Sequence, residues 1–190
     1  AFTFVLLPLS GLALWRVADR RFRQEIALAD LRREESLALA HQDALTGVHS
    51  RAYFLKELKG YDLGRRNVPV GYLQLDMDHL KAVNDTMGHA AGDAVLRILV
   101  DKMRRRLPEA IIGRLGGDEF GIAVIGQGNK QALLRLAGQL LRDLAEEVTI
   151  GGRKLHLSAT IGLATAPDDT DDMVELMSRA DLALYRGKQQ

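Results

Sequence analysis

Apolar residues run almost without interruption from Val70 to Asp76, a length and density expected of a strand inside a sheet. Around it the pattern alternates between helical and extended periods. Residues 51 to 63 read as a helix, Gly64 to Pro69 as a polar loop, and His79 to Asn84 as a short helical piece followed by a loop through Gly88. Asp93 to Leu107 carries Val95, Leu96, Ile98, Leu99 and Met103 at helical spacing. Ile111 to Leu115 and Phe120 to Ile125 form a hairpin, and Lys130 to Glu147 is an amphipathic helix. Leu155 to Ala164 is a strand after a Gly151-Gly152 turn, and Asp171 to Lys188 is the last helix, capped by Asp168 or Thr170. The order βαββαβ, with helices on one side, predicts an α+β, ferredoxin-like fold. That fold carries no function by itself.

The pattern changes before residue 43. Residues 1 to 15 hold no charge and end in Trp15, followed by Arg16, Arg20, Arg21 and Arg23. The run is shorter than the ~20 residues that cross a bilayer as a helix. An interfacial tryptophan followed by a basic cluster marks the cytoplasmic end of a membrane span. Because the chain starts at Ala1, the expectation is the C-terminal part of a longer protein's last span, at the inner (cytoplasmic) membrane, with everything after it in the cytoplasm. A buried or tag-derived apolar segment is the plainer alternative. Residues 16 to 42 lack Pro and Gly and favour one long helix. Leu28, Leu31, Ala38 and Leu45 form one seam, interrupted by Glu35 and Gln42; Phe22, Ile26, Ala29 and Ala40 form another. Two weak registers suit a dimerising linker, and a single solvated helix fits them too.

Composition narrows the chemistry. A length of 190 residues allows one ordinary domain plus an extension, and the net charge of +1 argues against a dedicated nucleic-acid binder. The absence of cysteine excludes disulfides and thiolate metal sites, and the 5 histidines show no zinc-ligand spacing. Oxygen donors remain.

Those donors concentrate in Arg114-Leu115-Gly116-Gly117-Asp118-Glu119-Phe120, at the tip of the expected hairpin. Gly-Gly there suggests a tight turn using positive φ. Successive strand residues face opposite ways, so Asp118 and Glu119 point apart unless the turn re-aims one. Carboxylates at such a lip suit a hard cation; a solvated acidic turn is the plainer reading.

Gly116 to Phe120 spell the signature of the GGDEF family of diguanylate cyclases, which the chain resembles. Three further blocks match in order: Asp43-Ala44-Leu45-Thr46-Gly47-Val48, then Leu75-Asp76-Met77-Asp78-His79-Leu80-Lys81-Ala82-Val83-Asn84-Asp85 with Gly92-Asp93, and Ala180-Asp181-Leu182-Ala183-Leu184-Tyr185-Arg186-Gly187-Lys188. The four matches span residues 43 to 188, within a domain expected over 43 to 190, and imply the palm arrangement of nucleotidyl cyclases. The resemblance also implies the condensation of two GTP into cyclic di-GMP and two pyrophosphates with Mg²⁺ (or Mn²⁺).

By the same resemblance Asp76, the Met77 carbonyl and Asp118 are metal ligands. Glu119 either helps hold a second ion or activates the attacking hydroxyl, so Asp118 and Glu119 are the catalytic pair. Backbone N–H groups of His79 and Leu80 sit at a helical start and suit phosphate oxygens. Lys81 and Lys188 add point charges to the triphosphate, with Gly116 and Gly117 alongside. Asn84 and Asp93 supply the guanine contacts: a carboxylate at Asp93 pairs with the guanine amino edge and repels adenine. Asp78 and His89 match the motif as turn and packing residues.

The chain departs from the family pattern where many members carry Arg-x-x-Asp for product inhibition: Leu107 and Ala110 stand there. No feedback by this route is expected. Ser50 replaces a common Asn, which touches only local turn geometry. The family's further phosphate-binding arginine would lie just past Gln190. One GTP per domain implies a homodimer, joined through the linker helix. The rival readings are a catalytically inactive domain that binds GTP or cyclic di-GMP, or a dimerisation module of a membrane receptor.

Overall fold

The computed structural model describes residues 22–23, 41–61, 63 and 68–189. The apolar segment expected over 1–15, nearly all of the linker helix expected over 16–42, and positions 64–67 of the polar loop lie outside the described residues. Among the described residues no helix is long and apolar enough to cross a membrane. The folded unit runs from His41 to Gln190.

Its elements are β1 (His49–Ser50), α1 (Arg51–Lys59), β2 (Val70–Met77), α2 (Leu80–Met87), α3 (His89–Arg106), β3 (Ile111–Arg114), β4 (Glu119–Ile125), α4 (Lys130–Ala145), β5 (Glu147–Ile150), β6 (Arg153–His156), β7 (Ala159–Ala166) and α5 (Met173–Gly187). Among the described residues the main sheet has the order β1-β3-β4-β2-β7. β2 is antiparallel to both neighbours, with Asp76 opposite Glu119 on one side and Thr160 on the other. The short β1, absent from the sequence reading, runs parallel to β3 at the edge.

Helices cover both faces of this sheet, which corrects the one-sided arrangement expected above. Leu73, Leu75, Phe120 and Ile122 face a core shared with α3 and α4, including Leu99, Met103, Leu133 and Leu140. Val70, Tyr72, Ala123 and Ala164 face Phe54 and Leu58 of α1 and Leu176 and Ala180 of α5. The reason is visible in β2 itself. A run that is apolar at consecutive positions offers hydrophobic surface to both sides, whereas a one-faced sheet would alternate.

The second layer sits unusually close to the strands because glycines receive it. A Cβ built on Gly113 would lie 2.3 Å from Phe54 Cγ, and one on Gly121 would lie 2.5 Å from Phe54 Cε1. A Cβ on Gly162 would lie 2.1 Å from the Ala180 carbonyl oxygen and 2.3 Å from the Leu184 nitrogen. The backbone of α5 therefore rests directly on β7, and the helix end carrying Lys188 is fixed over the sheet edge.

Several boundaries also differ from expectation. α4 stops at Ala145, and Glu147–Ile150 pairs with Arg153–His156 in a separate two-stranded ribbon. The strand expected from Leu155 to Ala164 is thus two strands, one in the ribbon and one in the main sheet. α3 begins at His89, four residues before the expected Asp93. Asp172 rather than Asp168 or Thr170 caps α5, accepting from the Glu175 N–H at 2.8 Å. Thr170 Oγ1 accepts from the Asp172 N–H and donates to Glu175 Oε2, bracing the cap. Ser50 caps α1, its hydroxyl accepting from the Tyr53 N–H at 3.4 Å.

Candidate active site

The site is built where β2 and β4 end side by side. Asp76 and Glu119 are cross-strand partners, so their side chains share one face of the sheet, the face that α5 covers. Both line a cleft of about 490 Å³ with Ser178, Asp181, Tyr185 and Lys188. Asp118, one residue earlier on the hairpin, lines a different cleft of about 470 Å³ with Lys81, Asn84, Asp93, Arg114 and Gly117. The alternation expected of Asp118 and Glu119 is thus realised: the two acids serve opposite sides of the hairpin. Asp76 stands across from Glu119, and Asp118 reaches β2 through its backbone, its carbonyl accepting from the Met77 N–H at 3.2 Å.

The hairpin tip is a four-residue loop, Leu115 to Asp118, closed by Leu115 N–H to the Glu119 carbonyl at 2.8 Å. Neither Gly116 nor Gly117 has a positive φ, contrary to the tight positive-φ turn expected. A longer loop closes without it. Gly116 instead gives Glu119 room: a Cβ there would stand 3.3 Å from the Glu119 carboxylate. Gly117 lines the Asp118 cleft, and a Cβ there would meet nothing within 4 Å.

Arg114, which the motif reading passed over, holds the loop. Its Nε and Nη2 donate to the Gly117 carbonyl at 3.2 and 2.7 Å, and Nη1 donates to both oxygens of Asp43. Asp43 also accepts from the Thr46 N–H at 2.9 Å and the Thr46 hydroxyl at 2.6 Å. Burial pushes the Asp43 carboxyl up, but the bonds from Thr46 and Arg114 outweigh it and hold it below its ordinary value. The opening motif is therefore a brace for the hairpin.

In the Asp118 cleft, α2 and α3 meet at a sharp elbow. Gly88, at φ 84°, ends one helix and starts the other. A Cβ on Gly92 would lie 1.9 Å from Asn84 Oδ1, so the Asn84 side chain abuts α3 at the residue before Asp93. The structure brings this pair together, as the guanine assignment requires. His79 takes φ 59° and leads into α2, whose first N–H groups, from Leu80 onward, have no partner within the helix. Lys81 is exposed on the rim.

The other cleft holds an ion cluster that the sequence reading saw only in part. Lys188 Nζ donates to Asp76 Oδ1 at 2.5 Å and to Asp78 Oδ1 at 2.7 Å. Thr160 Oγ1 donates to the same Asp78 oxygen at 3.0 Å. Burial raises the Asp78 carboxyl, yet the Lys188 and Thr160 bonds leave it below its ordinary value. Burial works against the Lys188 ammonium too, and the Asp76 and Asp78 bonds raise it nonetheless. Asp78 is therefore more than a turn residue, and a short carboxylate flanking a strand-end Asp is the signal that would have flagged it. Beneath them, buried Tyr72 donates to Gln74 at 2.8 Å. Burial, with Asp181 nearby, pushes the Tyr72 hydroxyl well above its usual range.

Among the described residues no three His, Cys, Asp or Glu side chains gather as a complete metal cage. A Mg²⁺ ion needs less: one or two carboxylates, with substrate phosphate completing the shell. Asp76 and Glu119 on one face, with an ammonium already seated on Asp76, form a donor set that fits a hard cation. Leu107 and Ala110 flank the Pro108-Glu109 turn after α3, and Leu107 is 5% exposed in the core.

A profile of the family described as "Diguanylate cyclase, GGDEF domain" matches residues 40–190. The chain is 34% identical over 164 residues to Diguanylate cyclase TpbB of Pseudomonas aeruginosa, covering 83% of this chain and 38% of that protein. It is 31% identical over 155 residues to Cyclic di-GMP phosphodiesterase NbdA of the same species, covering 79% of this chain and 19% of that protein. The chain thus spans well under half the length of these relatives. The structure of the GGDEF domain of TpbB superposes with a TM-score of 0.74 at 32% identity, covering 79% of this chain and 90% of that one.

Proposed function

This chain belongs to the GGDEF family of diguanylate cyclase domains, and from that premise we propose that it joins two GTP molecules into cyclic di-GMP, releasing two pyrophosphates. The observation that carries the reading is the pairing of Asp76 with Glu119 at the end of β2 and β4, with the Asn84–Asp93 cleft opening on the other side of Asp118. Asp76, the Met77 carbonyl, Asp118 and Glu119 are the groups that would hold Mg²⁺ or Mn²⁺: Asp76 and Glu119 already share a face, and Asp118 would join them by turning its side chain from the Asn84–Asp93 cleft. The ion would supply charge neutralisation for the triphosphate and fix its orientation.

The protein's own groups do the rest. Asn84 and Asp93 bind the guanine edge, and the Asp93 carboxylate discriminates against adenine. The N–H groups of His79 and Leu80, at the start of α2, orient phosphate oxygens, and Lys81 and Lys188 draw the triphosphate in. Glu119 helps hold a second ion or takes the proton of the attacking 3′-hydroxyl. Each domain holds one GTP, so the reaction needs two copies facing one another, brought together through the linker helix. The upstream segment tethers the pair to the inner (cytoplasmic) membrane, with the catalytic domain in the cytoplasm. With Leu107 and Ala110 in place of the charged pair, product does not inhibit through that turn.

Purified protein is incubated with GTP and Mg²⁺ beside Asp118→Asn, and products are resolved by chromatography. Cyclic di-GMP from the first and none from the second is the expected result. No product from a demonstrated dimer overturns the cyclase reading. The similarity to a protein named as a phosphodiesterase favours a second reading, a domain that binds GTP without condensing it. That reading predicts Mg²⁺-dependent GTP binding with no product.

A further inference from the structure

Lys188 occupies the position a divalent cation would take. Its ammonium touches the Asp76 oxygen at 2.5 Å and the Asp78 oxygen at 2.7 Å, and the cleft around it is lined by Glu119 and Asp181 as well. Among the described residues that line the cleft, Lys188 is the one basic side chain, against the carboxylates of Asp76, Glu119 and Asp181. Carboxylates gathered in this way repel one another, and a cation among them relieves that repulsion. Before substrate arrives, Lys188 is that cation.

A magnesium ion binds a carboxylate oxygen at about 2.0–2.1 Å. With an ammonium on the same Asp76 oxygen, the two cations would be held within a few ångströms of each other, so ion binding requires the lysine to leave. Its attachment permits this. The Lys188 backbone is pinned at the end of α5, donating to the Leu184 carbonyl at 3.0 Å, while its side chain is 33% exposed on a flexible four-carbon stem. What draws the ammonium away is new negative charge within reach, and an incoming triphosphate provides it.

Building on the metal role of Asp76 proposed above, we propose that Lys188 is a resident surrogate for the metal ion, and that it moves from Asp76 and Asp78 to the nucleotide phosphates as the ion enters. Metal and nucleotide then assist each other's binding: either alone meets a competitor or lacks a partner, and together they exchange one cation for another. The coupling is reciprocal, as any linkage between two ligands must be.

The test is a Mn²⁺ titration followed by electron paramagnetic resonance, on wild type, Lys188→Gln and Lys188→Arg, first without nucleotide and then with a non-hydrolysable GTP analogue. Without nucleotide, Lys188→Gln is expected to bind Mn²⁺ tighter than wild type by on the order of tenfold, because the competitor is gone. Lys188→Arg, which keeps the charge, is expected to stay weak. The analogue is expected to strengthen Mn²⁺ binding in wild type by a larger factor than in Lys188→Gln. Equal or weaker nucleotide-free Mn²⁺ binding in Lys188→Gln, with its melting temperature unchanged, overturns the surrogate role alone. Absence of Mn²⁺ binding to wild type even with the analogue overturns the metal-site reading beneath it.

Discussion

Arg114 and Asp43 are bonded across 71 residues of sequence, Nη1 lying 3.1 and 3.2 Å from the two carboxylate oxygens, while the same guanidinium grips the Gly117 carbonyl. One side chain thus joins the first turn of the domain to the loop that presents Asp118 and Glu119. Arg114→Ala removes charge-assisted bonds on both sides and leaves Asp43 partly buried without its cation. The expected cost is about 2 kcal/mol. That corresponds to a fall of about 4–8 °C in melting temperature. Turnover should fall further than stability explains, because the loop loses its tether. Lysine at this position should not restore it, having no planar fork to reach both partners.

Acid should act through the same carboxylates. Asp43 and Asp78 have folded-state values below the ordinary 3.8, so the unfolded chain binds more protons in that range. The stability they contribute is complete above 3.8 and is lost as pH falls through their lower folded values. Melting curves between pH 5 and about pH 2 should show wild type losing stability steeply in the lower part of that range. Arg114→Ala, whose Asp43 is already deprived, should show a shallower loss, and parallel curves would refute the assignment.

Gly162 tests how firmly α5 is seated. An alanine Cβ would press on the Ala180 carbonyl and the Leu184 nitrogen, which are backbone atoms and cannot rotate aside. Gly162→Ala is expected to cost about 3 kcal/mol or more. It should also weaken nucleotide binding by displacing the end of α5 that carries Lys188. Chemical denaturation and nucleotide titration on the same sample would separate the two effects.

Asp93 tests base recognition. Asp93→Asn replaces an acceptor-only group by one that can also donate, which removes the repulsion toward adenine. GTP affinity should fall roughly 10- to 100-fold and the preference for GTP over ATP should shrink, measured by competition binding. An unchanged preference would move base recognition elsewhere.

Glu119→Gln and Asp76→Asn each remove one charge from the cross-strand pair. Both should reduce cyclic di-GMP formation by roughly 10²-fold or more while leaving the fold intact. Product quantification with melting curves on the same preparations checks this.

The strand β2 was legible because the stretch Val70 to Leu75, broken only by Gln74, admits little else, and the four motif blocks located the site residues around it. Other parts depended on contacts that sequence periodicity does not carry. Glu147–Ile150 continues the apolar spacing of α4, so the switch to a ribbon strand is invisible until Arg153–His156 pairs with it. The early start of α3 rests on Gly92 fitting against Asn84, a contact between helices. Arg114 drew no role from the motifs because its partner, Asp43, lies 71 residues earlier in the chain. Asp78 looked like a turn residue because Lys188 and Thr160 reach it from 110 and 82 residues away.

β2 is hydrogen-bonded along its length to strands on either side, and Asp76 is its penultimate residue. The carboxylate at the heart of the site therefore stands on a strand bonded on both sides, leaving an upstream signal little to deform there. What such a signal can vary is how often two domains meet. Under the proposed reaction, sparse domains that pair only transiently would make product in proportion to the square of their local density. The protein would then report its own crowding as a chemical output, steeper than linear in density and set by clustering rather than by tuning of its catalytic groups.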